Sequence, residues 1–207
     1  KKVAILTHDI GGGAFTSLGT ALSRGFQELG INCEFVVLKA TQAEKEQYPD
    51  INIVTLNTQR TAFSLLPTVR YLKQSKPDVI FPMPWYFNIT AIWARYLSGI
   101  DSQIIIGEHN IISLETGIEH QDKLHLQSLP MLMRYTYPYG DGLIAVSQDT
   151  IADLVETIKV PPRIPMRVIF NPIDLDRVQQ LAKKPTDHPW FLDSETPTIV
   201  TVARLAK

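Results

Sequence analysis

Cysteine is almost missing from this chain of 207 residues: Cys33 stands alone, which rules out an intrachain disulfide and suits a reducing compartment. No run reaches the roughly 18 apolar residues of a membrane-spanning helix, and the apolar run after Lys1 and Lys2 is too short for a secretory leader. Neither sign of charge prevails. Twenty Lys and Arg against 21 Asp and Glu leave a formal net charge of −1, so nucleic acid is not expected as a partner. Metal-ligand pairs of the His-x-x-x-His or Cys-x-x-Cys kind are lacking. His120 and His125 are five apart and would splay on a helix, so these two with Glu115 and Glu119 do not read as a metal cluster, and neither metal nor another cofactor is expected. Gly-x-Ser-x-Gly is lacking too, which argues against a serine hydrolase.

What the chain does contain is 44% hydrophobic residues, arranged as short aliphatic runs separated by helix-length stretches. The runs are Val3 to Thr7, Cys33 to Leu38, Ile51 to Leu56, Val79 to Pro82, Gln103 to Gly107, Gly142 to Val146 and Arg167 to Phe170. They are continuous in apolar character rather than alternating, as strands buried on both faces are. A Rossmann-like α/β fold follows, a doubly wound, mostly parallel seven-stranded sheet. Between Ala14 and Leu29, Leu18, Ala21, Leu22, Phe26 and Leu29 recur at helical spacing, and Gly30 supplies the stop. Residues 1–171 read as one domain. The polar, proline-punctuated stretch 172–197 reads as a connector with at most one short helix, opened by Asp174. Residues 198–207 read as the first strand of a further domain, from Thr198 to Val202.

Two constellations fall at expected strand ends. Gly11, Gly12 and Gly13 follow the first run and precede a helix, where bare backbone N–H groups can approach a phosphate. The dinucleotide fingerprint fails there, because Thr16 occupies the place of its last glycine and no acid follows the second strand; a Walker loop fails for want of Gly-Lys-Ser/Thr. The second constellation, Glu108-His109-Asn110, follows the fifth run, and His8 ends the first. Open α/β sheets bind ligands at this carboxyl edge. Trp85, Tyr86 and Phe87, after the fourth run, are either an apolar or sugar-stacking wall or, more often for aromatics opening a helix, core. Ser147 reads first as a helix N-cap. "LPMLMRYTYPYG" mixes Leu, Met and Tyr with one Arg. It reads as a buried helix more readily than as a membrane-surface segment, and peripheral membrane contact stays open.

In their order and spacing, "GGGA", "EHN", "GLIAVSQ", "RVIFNPID" and "TIVTVARLAK" resemble the retaining glycosyltransferases of the GT-B fold, group 1, often called family 4. The resemblance implies that this chain is the N-terminal, acceptor-binding half of such an enzyme, facing its own C-terminal domain. The donor would be a nucleotide sugar, and the acceptor a sugar, a lipid-linked molecule or another small molecule. The setting would be cytoplasmic, or peripheral at the inner face of the membrane. It also implies that Gly12 and Gly13 meet the donor phosphate, that His109 sits beside the transferred sugar, and that Arg204 contacts the diphosphate. Acceptor contacts would come from His8, Trp85, Tyr86, Glu108, Asn110 and Ser147. Two rivals stay open: a nucleotide-dependent oxidoreductase or epimerase, and a non-catalytic binding module of the same fold.

Overall fold

A computed structural model describes residues 1–117, 128–173, 175–192 and 197–201. Seven strands, β1 (Lys2–Thr7), β2 (Asn32–Val37), β3 (Ile53–Thr55), β4 (Val79–Pro82), β5 (Gln103–Glu108), β6 (Gly142–Ala145) and β7 (Met166–Val168), form one sheet in the order 3-2-1-4-5-6-7. Every neighbouring pair is parallel. The expected runs all become strands, most with ends moved by a residue or two. The chain winds outward from β1 to β3 and then returns to β4 on the other side of β1. That reversal opens a crevice between the carboxyl ends of β1 and β4.

Alternate side chains of each strand enter two separate cores, as the pleat dictates. Ala4 and Leu6 of β1 join Ile80, Ile104, Ile106 and Leu143 under a broad helical layer. The layer comprises α3 (Leu65–Ser75), α4 (Trp85–Ser98), α5 (Ile112–Gly117), α6 (Leu129–Thr136) and α7 (Gln148–Asp153). Val3 and Ile5 join Phe35, Val37 and Phe81 on the opposite face, which α1 (Ala14–Glu28) covers. A short α2 (Gln42–Glu46) carries a complete capping box between Thr41 and Glu44.

Of the expected stripe on helix α1, Leu18 is buried and Leu22 and Phe26 pack half-buried against this core, but small residues share the inward face and Leu29 leaves it. Thr16, Leu18, Gly19, Thr20 and Ser23 are buried, while Leu29 is 75% exposed. Close approach is the reason: a Cβ on Gly19 would lie 2.2 Å from the Phe35 ring, so only small residues fit there. Their hydroxyls are satisfied within the helix, Thr20 donating to the Thr16 carbonyl at 2.9 Å and Ser23 to that of Gly19 at 2.8 Å.

Residues 1–172 form one compact unit and 173–207 a second. Its described residues contain two helices rather than one, α8 (Leu175–Ala182) and α9 (Pro189–Leu192). Pro189 suits the first helical position, where no N–H is needed, and the Trp190 N–H donates to Nδ1 of His188 at 3.3 Å. Asp174 lies outside the described residues. Residues 198–201 are not in a strand; Ile199 is 96% exposed, and an edge without a neighbouring ladder has nothing to take its hydrogen bonds.

Candidate functional site at the carboxyl edge

The glycine loop leaves β1 through His8 and Asp9, whose carboxylate meets His8 Nδ1 at 2.7 Å. Gly12 has φ +125° and Gly13 has φ +93° with ψ −179°, conformations that side chains rarely tolerate. A Cβ at either position would meet nothing within 4 Å, so backbone conformation, not crowding, demands glycine. No side chain caps α1, and its first turn holds no acid. Positive helix-end potential and N–H groups are therefore left facing a cleft of about 340 Å³ lined by His8, Asp9, Gly12, Gly13, Phe15 and Tyr86, among others.

His109 follows β5 and is half-buried. Burial holds its imidazole down to about 4, opposed by a hydrogen bond with the Asn171 side chain, so the ring is neutral near pH 7. Its Nε2 is buried with no partner. The ring of Phe15, first turn of α1, stands edge-on to it with centroids 5.2 Å apart and planes at 89°. Phe15 thus ties the two constellations together, although His109 itself lines a neighbouring apolar cavity of about 370 Å³ with Leu18, Phe26, Phe81, Ile105 and Asn171.

Glu108, one residue earlier, points the other way and has no exposed surface. Tyr137 donates its hydroxyl to Oε2 at 2.6 Å, and Asn88 Nδ2 donates to both the Tyr137 hydroxyl and the Gly107 carbonyl at 3.0 Å. Burial, with the charges of Glu115 and Asp153, pushes the carboxyl up to about 8 against the Tyr137 hydrogen bond. In this structure Glu108 belongs to the buried helical side and does not open to the cleft.

Asn110 is exposed and donates to Glu115 Oε2 at 3.1 Å; Trp85 Nε1 donates to the other oxygen at 3.2 Å. Glu115 therefore draws the β4 and β5 ends together at the site's rim. Tyr86 lies edge-on to Trp85 at 5.2 Å, and burial pushes its phenol up to about 12. Ser147 is the expected cap, accepting the Thr150 N–H at 3.1 Å. Phe87 has no exposure and is core. Arg204 lies outside the described residues, as do Glu119, His120 and His125. Sequence reading missed Phe15, Asn171 and Glu115 as site-forming groups, since nothing in their spacing shows that they reach His109 or the rim.

Residues 12–177 match the family model described as Glycosyltransferase Family 4. The chain belongs to that family. Among curated proteins none matches the sequence. Among solved structures, the lipopolysaccharide outer core galactosyltransferase WaaB is similar at 18% identity and a TM-score of 0.61, over 84% of this chain and 46% of that one. Anabaena HepE in complex with UDP-glucose is similar at 16% identity and 0.60, over 87% and 50%. Sucrose-phosphate synthase from Thermosynechococcus elongatus is similar at 16% and 0.63, over 91% and 54%. At these identities the likeness is one of fold, and the family 4 chain described here spans about half the length of these structures.

Proposed function

We propose that this chain is the N-terminal, acceptor-side part of a retaining glycosyltransferase that uses a nucleotide sugar. The observation that carries the reading is the pairing, at one sheet edge, of an uncapped helix N-terminus behind Gly12 and Gly13 with the neutral, unpartnered His109 Nε2. Phe15 fixes the two against each other. The first feature suits the donor's phosphate and the second a sugar hydroxyl. HepE, a structural neighbour, was crystallised with UDP-glucose and with UDP, which favours a nucleotide-sugar donor here.

Residues 1–171 would form the acceptor-binding domain, 172–197 the connector, and 198–207 the start of the donor-binding domain, with Arg204 on the diphosphate. Acceptor contacts are assigned to His8, Trp85, Tyr86, Asn110 and, at the rim, Ser147. The family resemblance extends that assignment to Glu108, whose burial makes its role one of support from beneath. Transfer would proceed as a same-face displacement. The sugar–phosphate bond breaks as the acceptor oxygen bonds to the anomeric carbon, and the leaving diphosphate takes the acceptor's proton. Neither protein nucleophile nor metal is called on; positioning and charge stabilisation do the work. The single buried cysteine favours a cytoplasmic setting.

Calorimetric titration of the full-length protein with UDP-, GDP- and ADP-sugars tests the reading. Saturable binding of one of them supports it. Binding of a nicotinamide cofactor instead would restore the oxidoreductase reading, and donor binding without transfer would leave a binding module.

A further inference from the structure

The helical layer presents an apolar surface that the transfer reaction does not use. Phe63 and Leu66 beside and on α3, Trp93 and Tyr96 on α4, and Met131 and Tyr135 on α6 are all exposed, Tyr96 to 77%. They are neighbours: α3 and α4 pack together, α4 and α6 pack together, and Trp93, Leu65 and Leu132 line one groove. On α6 the helical period splits the segment. Leu129, Met133 and Tyr137 go into the core at four-residue steps, while Met131, Leu132 and Tyr135 stay outside. Large contiguous apolar exposure of this kind marks an interaction surface.

Charge says which kind. Residues 57–77, 79–100 and 128–140, which build these three helices and their flanks, contain no Asp or Glu. They contain Arg60, Arg70, Lys73, Lys76 and Arg134, none in an ion pair among the described residues, and Arg95, which pairs with Asp141. Among the described residues, the acids nearest in sequence, Asp78, Asp101 and Asp141, precede β4, β5 and β6 and so lie at the sheet's amino edge; Glu119 and Asp122, between α5 and α6 in sequence, lie outside the described residues. Glu34 lies beneath α3 on β2, where Lys2 pairs with it at 2.9 Å and Tyr71 and Ser75 donate to it. Beyond α6, acids resume with Glu115 on α5 and Asp149 on α7.

We propose that this face of α3, α4 and α6, acid-free among the described residues, docks on an anionic bilayer surface, with Trp93, Tyr96 and Tyr135 at headgroup level and Arg60, Arg70, Lys73 and Arg134 on lipid phosphates. Amphipathic aromatics with a cationic fringe suit that interface, whereas the core of a protein–protein contact is depleted of charge without preference for sign. Tyr86 lines both the groove under Trp93 and the glycine-loop cleft, so a docked face brings the membrane to the mouth of the site. This inference deepens the transferase reading by naming a partner for the acceptor side, and it rests on that reading only for its purpose.

Co-sedimentation of the full-length protein with vesicles tests it, without donor or acceptor present, so its failure leaves the donor titration untouched. Binding to phosphatidylglycerol–phosphatidylcholine vesicles and not to phosphatidylcholine alone, weakened by salt, is expected. Arg70→Gln with Arg134→Gln should weaken it by about fivefold for each charge removed. Trp93→Ser with Tyr135→Ser should abolish it with an unchanged melting temperature, since both side chains are exposed. Failure to bind the anionic vesicles, or binding that both double variants leave intact, overturns the proposal. So does concentration-dependent dimerisation that the Trp93→Ser, Tyr135→Ser variant removes, which would make the face a contact between copies.

Discussion

The glycine loop and the end of β5 reach the same edge of the sheet by opposite means. At the loop, backbone does everything: two residues with positive φ, a helix start without a cap, and open space where side chains would be. At the β5 end, side chains and burial do everything: Glu108 is driven towards its neutral acid and His109 towards its neutral base, back to back on adjacent residues. A helix N-terminus offers potential to an anion without committing a proton. At the β5 end His109 offers an uncharged hydrogen-bonding atom, with Glu108 buried behind it. The difference matches a ligand that carries charge at one end and hydroxyls at the other.

The sharpest way to break this comparison is by pH. Glu108 holds its proton more tightly folded, at about 8, than its ordinary 4.5, so its contribution to stability is complete below pH 4.5 and lost as pH rises towards 8. For His109 the folded value of about 4 lies below the ordinary 6.5; its contribution is complete above pH 6.5 and lost as pH falls through 4. Between 4.5 and 6.5 the two slopes oppose each other. Denaturant unfolding of Glu108→Gln against wild type should therefore show the difference moving in the variant's favour by about 1.4 kcal/mol per pH unit between 4.5 and 8. A difference flat with pH would mean that Glu108 is already ionised in the fold.

Next in size, Tyr137→Phe should cost roughly 1–3 kcal/mol, because it leaves Glu108 Oε2 without its donor and Asn88 Nδ2 without one acceptor. Gly13→Ala forces a Cβ into backbone reserved for glycine, for roughly 1–3 kcal/mol of strain, and should weaken donor binding while leaving the Glu108 titration alone. Ser147→Ala should cost about 1 kcal/mol through the lost cap and, as an acceptor contact, should raise the KM for acceptor. If Ser147→Ala loses stability but keeps its KM, Ser147 is a cap alone and leaves the substrate contacts.

Much of the fold was legible because parallel strands buried on both faces need no partner information to be recognised: Val79 to Pro82 has the same ends in sequence and structure. Helix α1 was placed with Leu18, Leu22 and Phe26 inward, as the periodicity shows, but the burial of Thr16, Gly19 and Ser23 was not visible, since the close approach of Gly19 to Phe35 leaves no periodic trace. The second short helix of residues 173–207 was missed because Pro189 reads as a breaker until it is known to start a helix. At the site, Gly12, Gly13 and His109 were visible as exceptions at strand ends. The pairing of His109 with Phe15 and Asn171 spans 94 and 62 residues of chain and needed coordinates.

The most direct test is steady-state turnover and thermal melting of full-length His109→Ala beside wild type. An unpartnered, preorganised nitrogen beside the breaking bond is worth on the order of 10² to 10³ in rate. Turnover should fall by about that factor in a variant that still folds, its melting temperature lowered only by the loss of the Asn171 hydrogen bond and the Phe15 ring contact, since Nε2 makes no hydrogen bond in the fold. Wild-type turnover in a folded variant would contradict the assignment of His109 to the transferred sugar.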